Sequence, residues 1–151
     1  IGPSGVAVVV LVLMVDASAL ASLLTTGSGV LLVALSVLTS RHLLAWGCST
    51  SVPSARKEGL GATVSGTVQP AVVGLGFALL LGLSALMTQW SGPRWWAGPA
   101  VVGAAALGGI AVIHRATQRF GGITGDVLGA LIEVSLAVAL TTSALLLSMI
   151  A

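Results

Sequence analysis

The chain has 151 residues, of which 56% are apolar and only 7% charged, with a mean hydropathy of +1.12. A soluble domain carries about 25% charged residues, so the composition excludes an ordinary water-soluble globule. The six Lys/Arg and four Asp/Glu leave a net charge of +2, scattered with no interleaved stacking aromatics, which excludes a nucleic-acid partner.

What remains is an all-α fold, a polytopic transmembrane helical bundle embedded in a lipid bilayer as a single domain over residues 1–151. Spanning a bilayer takes about 17–25 apolar residues, and five runs approach that length: Gly5–Leu24, Gly29–Trp46, Val68–Trp90, Ala97–Ile113 and Val127–Ile150. The first is too long for a signal peptide and carries Asp16 in mid-span. Beside Asp16 lie Ala17, Ser18 and Ala19, small enough to admit another helix, and the reading is a structural hydrogen bond. A tight turn at Thr25–Ser28 joins the first two runs into a hairpin. Arg41 and His42 end the second run, where long polar side chains reach for the lipid headgroups.

The following loop, Gly47–Thr67, holds Cys48, Arg56, Lys57, Glu58 and Gly59-Leu60-Gly61. Cys48 is the single cysteine, which excludes an internal disulfide and a cysteine-based metal site. No strand precedes the glycines, so a Rossmann phosphate loop is excluded. Arg56 and Lys57 are either topological charges or a phosphate contact, for which arginine offers a planar fork. The loop reads as flexible, with Glu58 paired to Arg56 or Lys57.

Pro70 falls in the first turn of the third run, where its missing N–H costs little. Gly74, Ala78 and Gly82 form a stripe suited to close helix packing. Trp90, Trp95 and Trp96 flank the next turn as an interfacial belt. The fourth run leads into a polar loop, His114–Asp126. If all five runs span, Arg41, Arg56, Lys57, Arg115 and Arg119 lie on one side and Arg94 alone on the other. The positive-inside rule makes the basic side cytoplasmic. The two histidines, His42 and His114, lie on separate helices and make no zinc site.

The stretch Arg119–Glu133 concentrates what chemistry the chain offers. A glycine-rich turn leads into an apolar helix, with Asp126 at the helix start as an N-cap or a site residue. Glu133 follows seven residues later, on nearly the same face at about 3.6 residues per turn. Gly125, Gly129 and Glu133 form a small-residue stripe beside it. A carboxylate inside an apolar helix is expensive unless it meets a cavity, a metal or a partner.

Read as a motif, residues 121–133, Gly-Gly-x-Thr-Gly-Asp-x-x-Gly-Ala-x-x-Glu, resemble the signature of the cobalamin synthase family, the adenosylcobinamide-GDP ribazoletransferases. Ser40-Arg41, Ala55–Ala62 and the opening Ile1-Gly2-Pro3-Ser4-Gly5 are weaker echoes. The resemblance implies a bacterial inner-membrane enzyme with a cytoplasmic active face that joins adenosylcobinamide-GDP to α-ribazole, or its 5′-phosphate, with release of GMP. It implies Mg²⁺, with Asp126 and Glu133 as catalytic carboxylates and metal ligands. It further implies substrate contacts from Arg41, Arg56, Arg119, Gly121, Gly122, Thr124 and Gly125. The family's upstream acidic motif is not in these residues, so the expectation is the C-terminal portion of a longer chain. The missing N-terminal part would complete the site, and this chain alone would be an incomplete enzyme. Two other readings stay open on residue patterns alone. A proton-coupled carrier would use an intramembrane glutamate equally well, and a structural membrane subunit would have no shared pocket. The discriminator is where Asp126 and Glu133 face: a cytoplasmic pocket with loop arginines favours the enzyme, whereas a midplane cavity open to both sides favours the carrier.

Overall fold

A computed structural model describes residues 3–91 and 94–150, with the side chains of Pro3 and Ser4 outside that description. Its elements in order are α1 (Pro3–Leu23), α2 (Gly27–Gly47), α3 (Leu60–Val64), α4 (Pro70–Trp90), α5 (Ala97–Phe120) and α6 (Gly125–Ile150). All but α3 are long and apolar enough to cross a membrane. These five match the five apolar runs, with shifts at the ends that have local causes.

Helix α2 begins at Gly27 because Thr26 caps it, its hydroxyl accepting the Gly29 N–H at 3.1 Å. The third run loses Val68 to the preceding loop, where its carbonyl accepts the Thr50 N–H at 3.0 Å, and α4 starts at Pro70. The largest departure concerns the expected loop His114–Asp126. The helix continues through Arg115, Gln118 and Arg119, residues too polar for the span but good helix formers. It stops at Gly121, whose left-handed φ of 77° lets its N–H close on the Thr117 carbonyl at 3.0 Å. The true loop is the short turn 121–124. The glycines of the Gly47–Thr67 loop likewise lead into a helix, the short α3.

Helix α6 is the spine of the bundle, packed against α1, α2, α3 and α5. The main core joins Leu23, Leu32, Leu43, Leu80, Val101, Val102, Ala105 and Leu140 across the five long helices. Small and hydroxylated residues seat the helices, since lipid offers no hydrophobic drive to associate them. The Ser36 and Ser143 hydroxyls meet at 3.3 Å between α2 and α6. Gly98 sits against the Ser84 backbone, where a Cβ would find no room. His42 turns inward instead of snorkelling: Nε2 lies 3.1 Å from the Val73 carbonyl and the ring stacks on Phe77. The glycine that receives it is Gly76, while Gly74 and Gly82 face open space, so the expected packing stripe is displaced by one helix face. Trp90 at the end of α4 and Trp95 in the turn before α5 are exposed, in keeping with a belt.

Candidate active site

At one end of the bundle two segments far apart in sequence are clamped together. The 121–124 turn pairs with the loop after α2: Ile123 donates its N–H to the Pro53 carbonyl at 2.9 Å, and Ala55 donates to the Ile123 carbonyl at 2.9 Å. Ile123 is fully buried and forms a second, smaller core with Cys48, Val52, Leu128 and Leu131. Burying such a side chain stabilises by about 1.5–3 kcal/mol, so the clamp is anchored by packing as well as by hydrogen bonds. Gly122 is what lets the strands meet, because a Cβ there would run into the Pro53 carbonyl and the Ser54 backbone. Gly61 of α3 abuts the Thr124 backbone in the same way. Burial also pushes the Cys48 thiol above its ordinary pKa.

The clamp fixes Arg56. The Ser54 hydroxyl donates to the Arg56 carbonyl at 2.8 Å and holds the loop in a turn as it leaves the pairing. Across from it, α6 is capped by Thr124, whose hydroxyl accepts the Val127 N–H at 3.3 Å. Thr124 therefore does the capping that Asp126 was a candidate for. Asp126 sits in the first turn with its side chain exposed, where a carboxylate also complements the helix dipole.

Two adjoining cavities result. One of about 420 Å³ is bordered by Ala55, Arg56, Phe120, Thr124, Asp126, Val127 and Ala130. The other, of about 160 Å³, is bordered by Arg56, Glu58, Thr124, Gly125 and Asp126, with Ser54 and the start of α3. Arg56, Thr124 and Asp126 border both. A guanidinium, a carboxylate and a positive helix end suit an anion that is itself bridged by a cation. No cluster of three or more His, Cys, Asp or Glu occurs among the described residues. Mg²⁺ needs no such cage, since one or two carboxylates plus substrate phosphates hold it. Asp126 and Glu58 border the same cavity, so the donor set fits that mode.

The other expected site residues fall elsewhere. Gly121 is exposed, Gly122 is buried in the clamp, and Gly125 borders the smaller cavity. Arg119 is exposed on the last turn of α5 and Arg41 is exposed on α2, and neither borders these two cavities. Glu133 does share a face with Asp126, since Asp126, Gly129, Ala130 and Glu133 are all exposed. Yet seven residues of helix rise about 10 Å, and Glu133 borders neither cavity. Among the described residues no partner appears for the expected hydrogen bond of Asp16: it is 8% exposed, and its Oδ1 is enclosed without a partner. Glu58 and Phe120 were not singled out from the sequence as site residues. The Ala55–Ala62 echo contains Glu58, but nothing local indicates that this loop meets residue 123.

Residues 1–144 match the protein family described as cobalamin-5-phosphate synthase. Among curated proteins, the chain is 34% identical over 150 residues to the adenosylcobinamide-GDP ribazoletransferase of Frankia casuarinae, covering 96% of this chain and 54% of the relative. It is 39% identical over 139 residues to the protein of that name from a Nocardioides species, covering 92% of this chain and 50% of the relative. A third, from Ectopseudomonas mendocina, is 37% identical over 151 residues, with 95% and 56% covered. The chain thus spans about half the length of the curated relatives it matches. No solved structure matches it.

Proposed function

The chain belongs to the cobalamin-5-phosphate synthase family, and from that premise we propose that the protein is an adenosylcobinamide-GDP ribazoletransferase. Its substrates are adenosylcobinamide-GDP and α-ribazole or its 5′-phosphate, and GMP leaves. The observation that carries the reading is the meeting of Arg56, Thr124 and Asp126 on cavities at one end of the bundle. A carrier would place its charged site at mid-membrane instead.

GMP departs with its own phosphate, so the ribose hydroxyl attacks the phosphorus on the cobinamide side of the pyrophosphate. The new bond is ribose oxygen to that phosphorus, and the bond that breaks is the bridging P–O to GMP. Such transfer depends on positioning and charge neutralisation more than on covalent catalysis. Arg56 binds the non-bridging oxygens through its planar fork. Gly125, Asp126 and Val127 of the first turn of α6 border the cavities, so the positive helix end adds potential there. Asp126 orients the hydroxyl or holds the cation, and Glu58 stands across the smaller cavity from it. Asp126 and Glu58, which border the same cavity, would hold Mg²⁺ together with the pyrophosphate, and the ion would supply charge screening for the leaving GMP. Glu133 lies two turns further on and borders neither cavity.

The end of the bundle that carries Arg56, Lys57, Arg115 and Arg119 would face the cytoplasm of a bacterial inner membrane, where nucleotide substrates are made. The test is transfer by the full-length protein in lipid nanodiscs, read as GMP release coupled to a cobalamin product in the presence of Mg²⁺. Asp126→Asn should cut turnover by at least about 100-fold, as loss of a preorganised charge does. Turnover near wild type in that variant would leave Asp126 with its helix-dipole role alone.

A further inference from the structure

The larger cavity has a continuation that the phosphate chemistry does not use. A groove of about 440 Å³ runs between α5 and α6, bordered by Gly108, Ala111, Arg115, Phe120, Val127 and Val134. Ala116, buried, closes its floor. Phe120, Val127 and Ala130 border both the groove and the cavity that holds Arg56 and Asp126. The two spaces therefore adjoin at these three residues, the elbow between a polar arm at the end of the bundle and an apolar arm along the α5–α6 seam.

We infer that this seam is the subsite for the aromatic base of the nucleoside substrate, an inference that rests on the transferase reading above. The chemistry of the parts assigns them. Pyrophosphate and ribose hydroxyls need the guanidinium, the carboxylate and the helix N–H groups, all of which lie in the polar arm. Guanine carries two donor groups and a carbonyl on one edge, and Arg115 is the single charged side chain bordering the groove. Burying guanine there would leave its donors unpaired, which costs about 1–3 kcal/mol for each such group. The base of α-ribazole is a methylated benzimidazole with no exocyclic polar group, so an apolar slot satisfies it. The Phe120 ring at the elbow meets a flat π-system at its entrance. A corrin is far too large for this volume. The base lies along the seam while its ribose, at the elbow, presents a hydroxyl to the arm where Asp126 stands.

Ala111 is the position to test this, because it is exposed and borders only the groove. A phenylalanine there fills the slot without entering the core. In the full-length protein, Ala111→Phe should raise the KM for α-ribazole at least about 10-fold, the scale on which hydrophobic pockets respond to small volume changes. The KM for adenosylcobinamide-GDP should stay within about twofold, since the polar arm is untouched. Val134→Ala widens the same slot and should raise kcat/KM for the riboside of a bulkier, naphthalene-fused imidazole relative to α-ribazole. That variant decides the matter if Ala111→Phe fails to fold. Wild-type transfer with both KM values unchanged in Ala111→Phe, or raised equally, overturns the assignment and leaves the transferase reading standing; a lipid acyl chain would then be the occupant. A wild-type protein that binds neither substrate overturns the transferase reading and this inference with it.

Discussion

Three glycines within nine residues make a controlled test of the clamp, because their surroundings differ while the substitution is the same. At Gly122 an added Cβ meets only backbone atoms, those of Pro53 and Ser54, which cannot rotate away. The segments must part, losing the two hydrogen bonds through Ile123 at about 0.5–1.5 kcal/mol each. Part of the burial of Ile123 is lost with them, a side chain that contributes about 1.5–3 kcal/mol in full. Gly122→Ala should therefore destabilise the clamp by about 2–4 kcal/mol. At Gly121 nothing lies within reach of a Cβ, but φ is 77°, so alanine costs only the left-handed penalty of about 1–2 kcal/mol. Gly129 is helical and faces open space, so alanine there should stabilise by up to about 1 kcal/mol. Thermal unfolding of the full-length protein in detergent ranks the three. Tryptic cleavage after Arg56 or Lys57 reports the local event, because opening exposes the loop, and it should accelerate by more than about tenfold in Gly122→Ala. A Gly122→Ala protein as stable and as protease-resistant as Gly129→Ala would refute the reasoning, since the clamp would then not hold the site together.

Arg56→Ala should reduce kcat/KM for adenosylcobinamide-GDP by about 10–100-fold, as loss of a charged hydrogen bond does, while Arg41→Ala, outside both cavities, should stay within about threefold of wild type on the same scale. Ile123→Ala should destabilise by about 2–5 kcal/mol through the cavity it leaves beneath the clamp, measured by the same unfolding assay. Cysteines introduced at Lys57 and Trp95 should label from opposite membrane faces. The native Cys48 will not confuse that assay, because it is buried and its thiol is held above the ordinary pKa. Its labelling by maleimide should stay low at pH values where an ordinary thiol, with a pKa of about 8.5, already reacts, and should rise only at higher pH. Rapid labelling of Cys48 at neutral pH would contradict its place in the second core.

Hydrophobicity alone was enough to count and place the spans. A membrane leaves the backbone no partner but itself, so an apolar run of sufficient length becomes a helix whatever surrounds it. Val68 and His114–Phe120 mark the limit of that reasoning, because hydropathy marks where a span leaves lipid and not where its hydrogen bonds end. The turn at 121–124 and its glycines were also legible, since a helix stop and a helix start have local chemistry. The sequence leaves Asp126 open as a cap or a site residue, and the cap is Thr124, a choice that depends on which side chain points back along the axis.

What the sequence could not contain was the company each residue keeps. Periodicity put Asp126 and Glu133 on one face, and they are on one face, but a shared face two turns long is not a shared pocket. Only the tertiary structure brought Arg56 and Glu58 to Asp126, through a pairing of residues 53–55 with 123 that no local pattern announces. It likewise turned His42 onto α4, enclosed Asp16 without a partner, and joined the polar cavity to an apolar seam. The physical reason is common to these cases. Helix formation in lipid is decided within each segment, whereas a site is decided by side-chain volumes and hydrogen-bond geometry between segments, and those become definite only once the helices have packed.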